Sequence, residues 1–343
     1  MCHDEYRIDF FRADGLQAHA LLPTTDGGFL AVGTPDDPAS IAWLDAEGNI
    51  TATAGPYADD LVLRSATWGP DDQIVLAGTI GHQLWVAKTD AAGRLLVGGL
   101  DERLSEAYPA YLEDIQVVQH DVRGILVSAH MGEEPPEAMT MTMTQFNHDA
   151  AWRWGQLVPI HEVFTVSPTA RGASTVTPSE LFVAMTRTPV GLRLIQRETY
   201  VPWNIVEPQI FDVEVPGLPA SIAALHGDSV VTASNDEHAH IAAVDDDRVV
   251  AWHRTLVGVR AEQVGFDPVH DLVFVAGSDL DADEALWIAA LDDEGNDVWA
   301  WAAPPTLEGP STPVLDVVAL SEGGIAISTA GSLFYLTVHP HAC

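Results

Sequence analysis

The sequence predicts an all-β protein, a single seven-bladed β-propeller spanning residues 1–343, and three observations lead to this fold. An internal repeat recurs along the chain, no segment carries sustained helical periodicity, and the N-terminal residues supply a strand that the last repeat lacks. Seven repeats of about 49 residues account for the whole chain, and four short strands per repeat are typical of one propeller blade.

The repeat consists of apolar strands separated by characteristic turns. One strand ends in Gly or Ser, as at Gly33, Gly78 and Gly277, and the next apolar strand ends in an Asp-rich turn. Asp-x-x-Gly turns suit tight hairpins because glycine accepts a positive φ without a steric penalty. The clearest of these turns begin at Asp45, Asp90 and Asp292. Blades are therefore expected at approximately residues 15–60, 61–110, 111–162, 163–216, 217–261, 262–312, and 313–343 together with 1–14.

The N-terminal segment is expected to close the ring. The last repeat ends at Leu336–His339 without a fourth strand, and the segment Tyr6–Phe11 belongs to no other repeat. We therefore predict that the N-terminal strand completes the last blade, which also removes an exposed sheet edge.

This closure would bring the two cysteines, Cys2 and Cys343, close together. A disulfide between them would lock the ring and requires an oxidising compartment, so we expect a secreted, periplasmic or cell-envelope protein. Two alternatives stay open. Cys2 could be the lipid-attachment site of a bacterial lipoprotein, or the two cysteines could bind copper or zinc together with His3, His339 and His341.

The charge of the chain excludes some partners. Fifty acidic residues oppose fifteen basic ones, and the formal net charge is −35. Such a chain repels nucleic acid and anionic lipid, whereas cations, basic proteins and neutral glycans remain as partners. No apolar run is long enough for a membrane-spanning helix, and we expect a monomer.

Acidic residues and histidines are abundant in the loops that join the second and third strands of the repeats, which would surround one mouth of the central channel. Asp279, Asp281 and Asp283 have the spacing that opens a calcium loop, although the Gly and distal Glu of such a loop are absent. A solvated acidic loop is the alternative. His238 and His240 alternate along a strand and could bind a metal on one side of it, or could be exposed polar residues.

Two further patterns have a packing interpretation and a binding interpretation. Met139, Met141 and Met143 would face one side of a strand, where they could bind copper(I) or fill gaps between blades. Trp pairs could form a carbohydrate platform or pack between blades. These pairs are Trp152 with Trp154 and Trp299 with Trp301.

The repeat resembles those of quinoprotein-like bacterial propellers, of the PQQ-type and WD40-like kind. The resemblance rests on an apolar strand followed by Asp292–Gly295 and then by Trp299 and Trp301. It implies a fold rather than a chemistry. Quinoprotein dehydrogenases usually have eight blades and denser Trp-docking motifs, so no quinone cofactor is expected here; Ca²⁺ or a transition metal is the remaining cofactor candidate.

The sequence therefore predicts a non-catalytic, secreted or envelope-associated propeller that binds a protein, glycan or cation at an acidic channel mouth. The first alternative is a metal-dependent hydrolase or lyase with Asp and His ligands at the channel. The second is copper or zinc binding at the joined termini. No nucleophile elbow, phosphate loop or dinucleotide fingerprint is present, and catalytic residues cannot be assigned.

Overall fold

The computed structural model describes most of the chain. The described residues are 7–14, 18–33, 40–81, 83–101, 111–120, 124–132, 139–146, 152–158, 174–176, 181–188, 191–198, 209–225, 228–235, 237–245, 247–282, 284–303, 313–320 and 324–339. These residues form seven four-stranded antiparallel sheets, and no α-helix occurs among them.

Six of the sheets run through four strands that are consecutive in the chain. Sheet 1 consists of β2 (Ala20–Pro23), β3 (Phe29–Val32), β4 (Ile41–Leu44) and β5 (Ile50–Ala54). Sheet 2 consists of β6 (Leu61–Trp68), β7 (Ile74–Ile80), β8 (Gln83–Thr89) and β9 (Leu95–Asp101), with a 3-10 turn at Pro70–Asp72. Sheet 3 consists of β10 (Tyr111–His120), β11 (Gly124–Gly132), β12 (Met139–Phe146) and β13 (Trp152–Val158).

The remaining three consecutive sheets follow the same order. Sheet 4 consists of β14 (Ser174–Val176), β15 (Leu181–Thr188), β16 (Gly191–Glu198) and β17 (Gln209–Val213). Sheet 5 consists of β18 (Leu218–Leu225), β19 (Asp228–Ser234), β20 (His238–Val244) and β21 (Val250–Val257). Sheet 6 consists of β22 (Val259–Asp267), β23 (Leu272–Asp279), β24 (Ala285–Leu291) and β25 (Asp297–Ala302).

Sheet 7 contains both ends of the described chain. Its strands are β26 (Val314–Ala319), β27 (Gly324–Thr329), β28 (Ser332–His339) and β1 (Arg7–Asp14). Strand β1 pairs antiparallel with β28, so that Arg7 lies opposite His339 and Asp14 lies opposite Ser332. The predicted fold class, including the completion of the last sheet by the N-terminal strand, is therefore confirmed.

The seven sheets close into a ring through their first strands. The first strand of each sheet contacts the first strands of the sheets before and after it, and β26 of sheet 7 contacts β2 of sheet 1. These first strands therefore surround the axis of the ring. In each sheet the first strand leads to the second at one end of the ring, and the second strand leads to the third at the opposite end. We call these the turn end and the loop end.

Both faces of the middle strands are buried, which explains their nearly continuous apolar sequence. Along β7, Ile74 and Leu76 belong to an apolar cluster that includes Leu30 of sheet 1. Val75 and Ala77 point the other way into a cluster shared with sheet 3. Because successive side chains of a strand alternate between its faces, each sheet contributes to two cores and locks its neighbours in place.

Polar side chains add a second set of links between neighbouring first strands. Register shifts interrupt five of the described first strands, and such bulges re-aim side chains. They lie between Leu63 and Ser65, Glu113 and Gln116, Pro219 and Ser221, Ala261 and Gln263, and Val314 and Asp316. Glu262 lies within one shift and accepts the Val314 N–H at 2.6 Å. Asp316 follows another and accepts the Leu21 N–H at 2.7 Å.

Candidate functional site

A cavity of about 760 Å³ opens at the turn end of the ring, beside the first strands of sheets 1, 2, 6 and 7. A cavity of this size is in the range of small-molecule binding sites. It is lined by three aromatic rings, three carboxylates and aliphatic residues at 317–320, and none of its described lining residues is Lys, Arg or His. The aromatic and acidic residues are Trp43, Trp68, Phe266, Asp26, Asp72 and Asp267.

Trp68 links sheet 2 to sheet 1 at the wall of this cavity. It is the last residue of β6, and its indole Nε1–H donates a hydrogen bond to the Pro23 carbonyl at 2.8 Å. A half-buried indole usually needs such a partner for its N–H group. The bond fixes the ring across two sheets and occupies its polar edge, so the aromatic faces are left for apolar or cationic contacts.

Trp43 is held from the other side by the Asp90–Arg94 turn of sheet 2. Gly93 in that turn has a φ of +75°, and a Cβ atom there would lie 2.6 Å from Cη2 of Trp43. Glycine is therefore required both by the backbone and by the close approach of the ring. Tyr57 donates its hydroxyl to the Gly93 carbonyl at 2.9 Å, and burial raises the pKa of Tyr57 so that it stays a donor.

Two carboxylates at the cavity are accessible to solvent. Asp26 is exposed in the turn after β2 and accepts the Thr24 hydroxyl at 2.5 Å. This hydrogen bond lowers the pKa of Asp26 below its ordinary value. Asp72 is exposed at the end of the 3-10 turn Pro70–Asp72, where its φ is 57°, and its carboxylate has no partner among the described residues.

Asp267, by contrast, is buried and serves to shape the wall. Its Oδ1 accepts the backbone N–H groups of Val269 and His270, at 2.8 and 3.3 Å. Its Oδ2 lies 2.7 Å from Nδ1 of His270. These contacts hold the turn after β22, including Phe266, against the cavity. Asp267 therefore has little capacity left for a ligand.

The predicted calcium loop lies at the loop end, opposite the cavity. Asp279 accepts the backbone N–H of Asp281 at 3.0 Å through Oδ1, which closes a turn after β23. The Asp281 carboxylate packs against Gly258, where a Cβ would lie 2.6 Å from Oδ2. Asp283 lies outside the described residues. Within the described part of the chain, no three Asp, Glu, His or Cys side chains converge as metal ligands.

His238 and His240 lie on one face of β20, as the alternation predicts, with ring centroids 6.3 Å apart. His253 of β21 extends the row, and its ring stacks on His240 at 5.5 Å. His240 Nδ1 lies 3.2 Å from the Thr255 hydroxyl. Burial is the main cause that lowers the pKa of His240, and the neighbouring imidazoles lower it further. Burial and these neighbours therefore favour the uncharged form of His240.

Other acidic residues at the loop end have basic partners. Glu262 is buried, and its Oε1 accepts both the Arg260 Nε–H and the Ser278 hydroxyl at 3.1 Å. The Arg260 guanidinium also lies 3.7 Å from a carboxylate oxygen of Glu284. Arg260 thus offsets the negative charge of Glu262 in β22 and of Glu284 in the loop after β23.

The remaining predicted residues fall into two groups. Cys2, Cys343, His3 and His341 lie outside the described residues, as do the side chains of His339, Trp152, Trp154 and the three strand methionines. The disulfide and the terminal metal site therefore stay predictions.

Trp299 and Trp301 can be located. Trp299 is buried beside Phe274, and Trp301 packs on Phe10 with ring centroids 5.4 Å apart. These two indoles pack between sheets 6 and 7, which supports the packing interpretation.

The cavity residues were not predicted from the sequence. Trp43 and Trp68 are separated by 25 positions and belong to different sheets, and Asp26 and Asp72 lie in short turns with no ligand-like spacing. The sole sequence signal was an aromatic residue directly before a Gly-Pro-Asp-Asp turn at Trp68. That pattern predicts a hairpin turn and does not indicate a ligand-binding site.

Comparisons with known proteins agree on the fold. No protein-family model and no curated protein match the sequence. Among solved structures, a catalytically inactive virginiamycin B lyase from Staphylococcus aureus, bound to quinupristin, aligns over 97% of this chain and 99% of its own, with 10% identity and a TM-score of 0.65.

Two further solved structures are similar. BBS1N in complex with ARL6DN aligns over 97% of this chain and 98% of its own, with 10% identity and a TM-score of 0.57. The Dos1 propeller aligns over 94% of this chain and 78% of its own, with 13% identity and a TM-score of 0.53. Such low identities show the fold alone. The resemblance to quinoprotein-type repeats stays a prediction, and no helix of the described residues is long and apolar enough to cross a membrane. The chain is thus a β-propeller by its fold.

Proposed function

We propose that this protein is a non-catalytic binding propeller whose ligand occupies the cavity at the turn end. One observation carries the proposal: Trp43 and Trp68 are held rigidly at the wall of a 760 Å³ cavity beside the accessible carboxylates of Asp26 and Asp72. A site whose rings are already fixed loses little conformational entropy when a ligand binds. The sequence had favoured the opposite mouth of the ring, where the loops are acidic.

The cavity can be tested before its ligand is identified. Ala91 lines the cavity and Ala92, the next residue of the same turn, is exposed and does not line it. We expect Ala91→Trp to abolish binding of the cavity hits in a fragment screen followed by ligand-observed NMR, whereas Ala92→Trp leaves the hits bound. Hits that survive Ala91→Trp, or an absence of hits on the parent protein, would refute the proposal.

The metal-dependent hydrolase or lyase receives no support from a specific contact. Among the described residues of the loop end, Asp279 caps its own turn, Glu262 and Glu284 lie against Arg260, and His240 stacks on His253. Similarity to a lyase at 10% identity concerns the fold and does not transfer its activity.

We further propose that the protein works in a secreted, periplasmic or envelope location, tied by a Cys2–Cys343 disulfide. The pairing of β1 with β28 supports this, since Arg7, five residues after Cys2, lies opposite His339, four residues before Cys343. In the loop-entropy model a closed loop this long adds about 6 kcal/mol to the free energy of unfolding.

Non-reducing peptide mapping of protein isolated from an oxidising compartment should recover the two cysteines in one linked peptide. Cys343→Ser should then lower the denaturation midpoint as far as reduction of the parent protein does. Two freely alkylated thiols in the native, isolated protein would contradict the proposal, and bound copper or zinc would favour the terminal metal site instead.

A further inference from the structure

We propose that the turn-end cavity recognises an organic cation, that is, a substituted ammonium group carried on an apolar body. This inference rests on the proposed function, which assigns the ligand site to the cavity, and adds the chemical class of the ligand. Three features of the described residues carry it: unopposed negative charge, fixed aromatic rings, and the lack of a metal-binding geometry.

The negative charge at the cavity has no counter-charge among the described residues that line it. Asp26 is held anionic by the Thr24 hydroxyl, and Asp72 has no partner among the described residues. No described lining residue is Lys, Arg or His. An anionic ligand would be repelled, whereas a cation would gain attraction both from these carboxylates and from the field of a chain with a net charge of −35.

The aromatic rings supply the second part of the recognition. A cation within about 6 Å of an indole face is attracted by the ring quadrupole, and tryptophan is the strongest of the aromatic residues in this respect. Trp68 has its N–H edge occupied by Pro23, and the edge of Trp43 lies against Gly93. Both indoles can therefore present their faces without reorganisation.

The cavity is unsuited to a bare metal ion. Divalent cations need several converging oxygen or nitrogen ligands, and no group of three such side chains occurs among the described residues. Asp267, the third carboxylate, already accepts three hydrogen bonds from its own turn. Apolar area from Phe266 and from residues 317–320 instead matches the hydrocarbon part of an organic ligand.

The decisive probes are a matched pair that differs in charge alone. Choline carries a trimethylammonium group, and 3,3-dimethylbutan-1-ol has the same shape with carbon in place of nitrogen. Isothermal titration should show choline binding at least about 10-fold more tightly than the alcohol. The affinity for choline should decrease with added salt, because the two carboxylates are accessible to solvent.

Two double variants with equal changes in net charge test the carboxylates. Asp26→Asn with Asp72→Asn should weaken choline binding about 10-fold. Asp59→Asn with Asp293→Asn alters two exposed residues outside the cavity lining and should change the affinity less than about twofold. Trp43→Ala should also weaken binding, whereas the alcohol should respond little to either charge variant.

A short peptide with one trimethyllysine, compared with the same peptide carrying leucine there, identifies the source of the cation. Preference for the trimethyllysine peptide over choline indicates a modified side chain, and the reverse order indicates a free small molecule; both agree with the proposal. Equal binding of choline and the alcohol, or no binding of either cation, overturns it. In that case, uncharged fragments that bind in the cavity would still support the proposed binding function, although its ligand would not be a cation.

Discussion

Glu262 at the loop end and the cavity carboxylates Asp26 and Asp72 at the turn end are used in opposite ways. At the loop end Glu262 is buried, accepts three hydrogen bonds, and is paired with Arg260. At the turn end Asp26 and Asp72 are exposed next to indole rings, with no basic side chain among the described residues of the cavity lining. The contrast teaches that acidic content does not identify a site in so acidic a chain. Carboxylates without a basic partner, next to a fixed apolar surface, indicate a binding site better than the number of acidic residues does.

The largest effect is expected at the loop end. Glu262→Ala leaves the Val314 N–H and the Ser278 hydroxyl without their shared acceptor and removes one partner of Arg260, and each buried donor left unsatisfied typically costs about 1–3 kcal/mol. The midpoint of urea denaturation should fall accordingly. Glu262→Gln retains an acceptor and should lose less. Equal midpoints for all three proteins would mean that Glu262 is not a structural carboxylate.

A second prediction concerns Asp316, whose carboxyl links β26 to Leu21. Burial raises the pKa of Asp316 to about 7, although its hydrogen bonds with two backbone N–H groups act in the opposite direction. A raised pKa in the folded state stabilises the protein below the unfolded value of 3.8, and this contribution is lost as the pH rises through about 7.

Asp316→Asn should remove this loss of stability at higher pH, because asparagine does not ionise. The difference in unfolding free energy between the variant and the parent protein should rise in favour of the variant by about 1–3 kcal/mol from pH 5 to pH 8. The lower part of this range applies because the Asp316 side chain is partly accessible to solvent. Denaturant titrations of both proteins at the two pH values measure the difference. A difference that stays constant with pH would show that the carboxyl keeps the same charge throughout.

The histidine row of sheet 5 should make the protein sensitive to acid. Burial lowers the pKa of both His240 and His253 below 6.5, so their contribution to stability is complete above pH 6.5 and is lost as the pH falls through the folded values. His253→Gln should reduce the loss of stability between pH 7 and pH 5 by no more than a few tenths of a kcal/mol, that is, about 0.5 kcal/mol at most, because His253 is exposed to solvent. Thermal unfolding across this range would show it, and an unchanged pH profile would refute it.

The smallest effect on stability is expected at the cavity. Asp26→Asn combined with Asp72→Asn should shift the free energy of unfolding by no more than about 0.5 kcal/mol, because both side chains are exposed and their turns tolerate asparagine. Calorimetric unfolding measures this. A large loss of stability would assign these carboxylates a structural role and erase the distinction between the two ends.

The fold could be predicted from the sequence because its causes are local and repeated. Alternating apolar strands bury both faces, as Ile74 and Val75 show by entering different cores. The Asp-x-x-Gly turns recur because Asp45 and Asp90 each accept backbone N–H groups of their own turn, which lowers the pKa of both carboxyls. The N-terminal strand was found by counting the strand that the last repeat lacked.

The cavity could not be predicted in the same way. It arises where the turns near Asp26, Trp68, Phe266 and Val318 converge, and these turns belong to four sheets that are distant in the sequence. Local spacing also cannot tell a paired acid from an unpaired one. Glu284 directly follows the acidic segment that contains Asp279, Asp281 and Asp283, but Arg260, 24 residues earlier, lies against it.

The pairing of β1 with β28 has a consequence for how the molecule is made. Strand β1 is synthesised before every other described strand and its partner β28 is synthesised after them, so sheet 7 can be completed only once β28 has emerged, while the other sheets can form in order. Until then the ring is an open arc. A bulky domain fused to either end would lie next to the β1–β28 pairing. Loss of β1 alone would leave β28 as an unpaired edge strand that could pair with another chain.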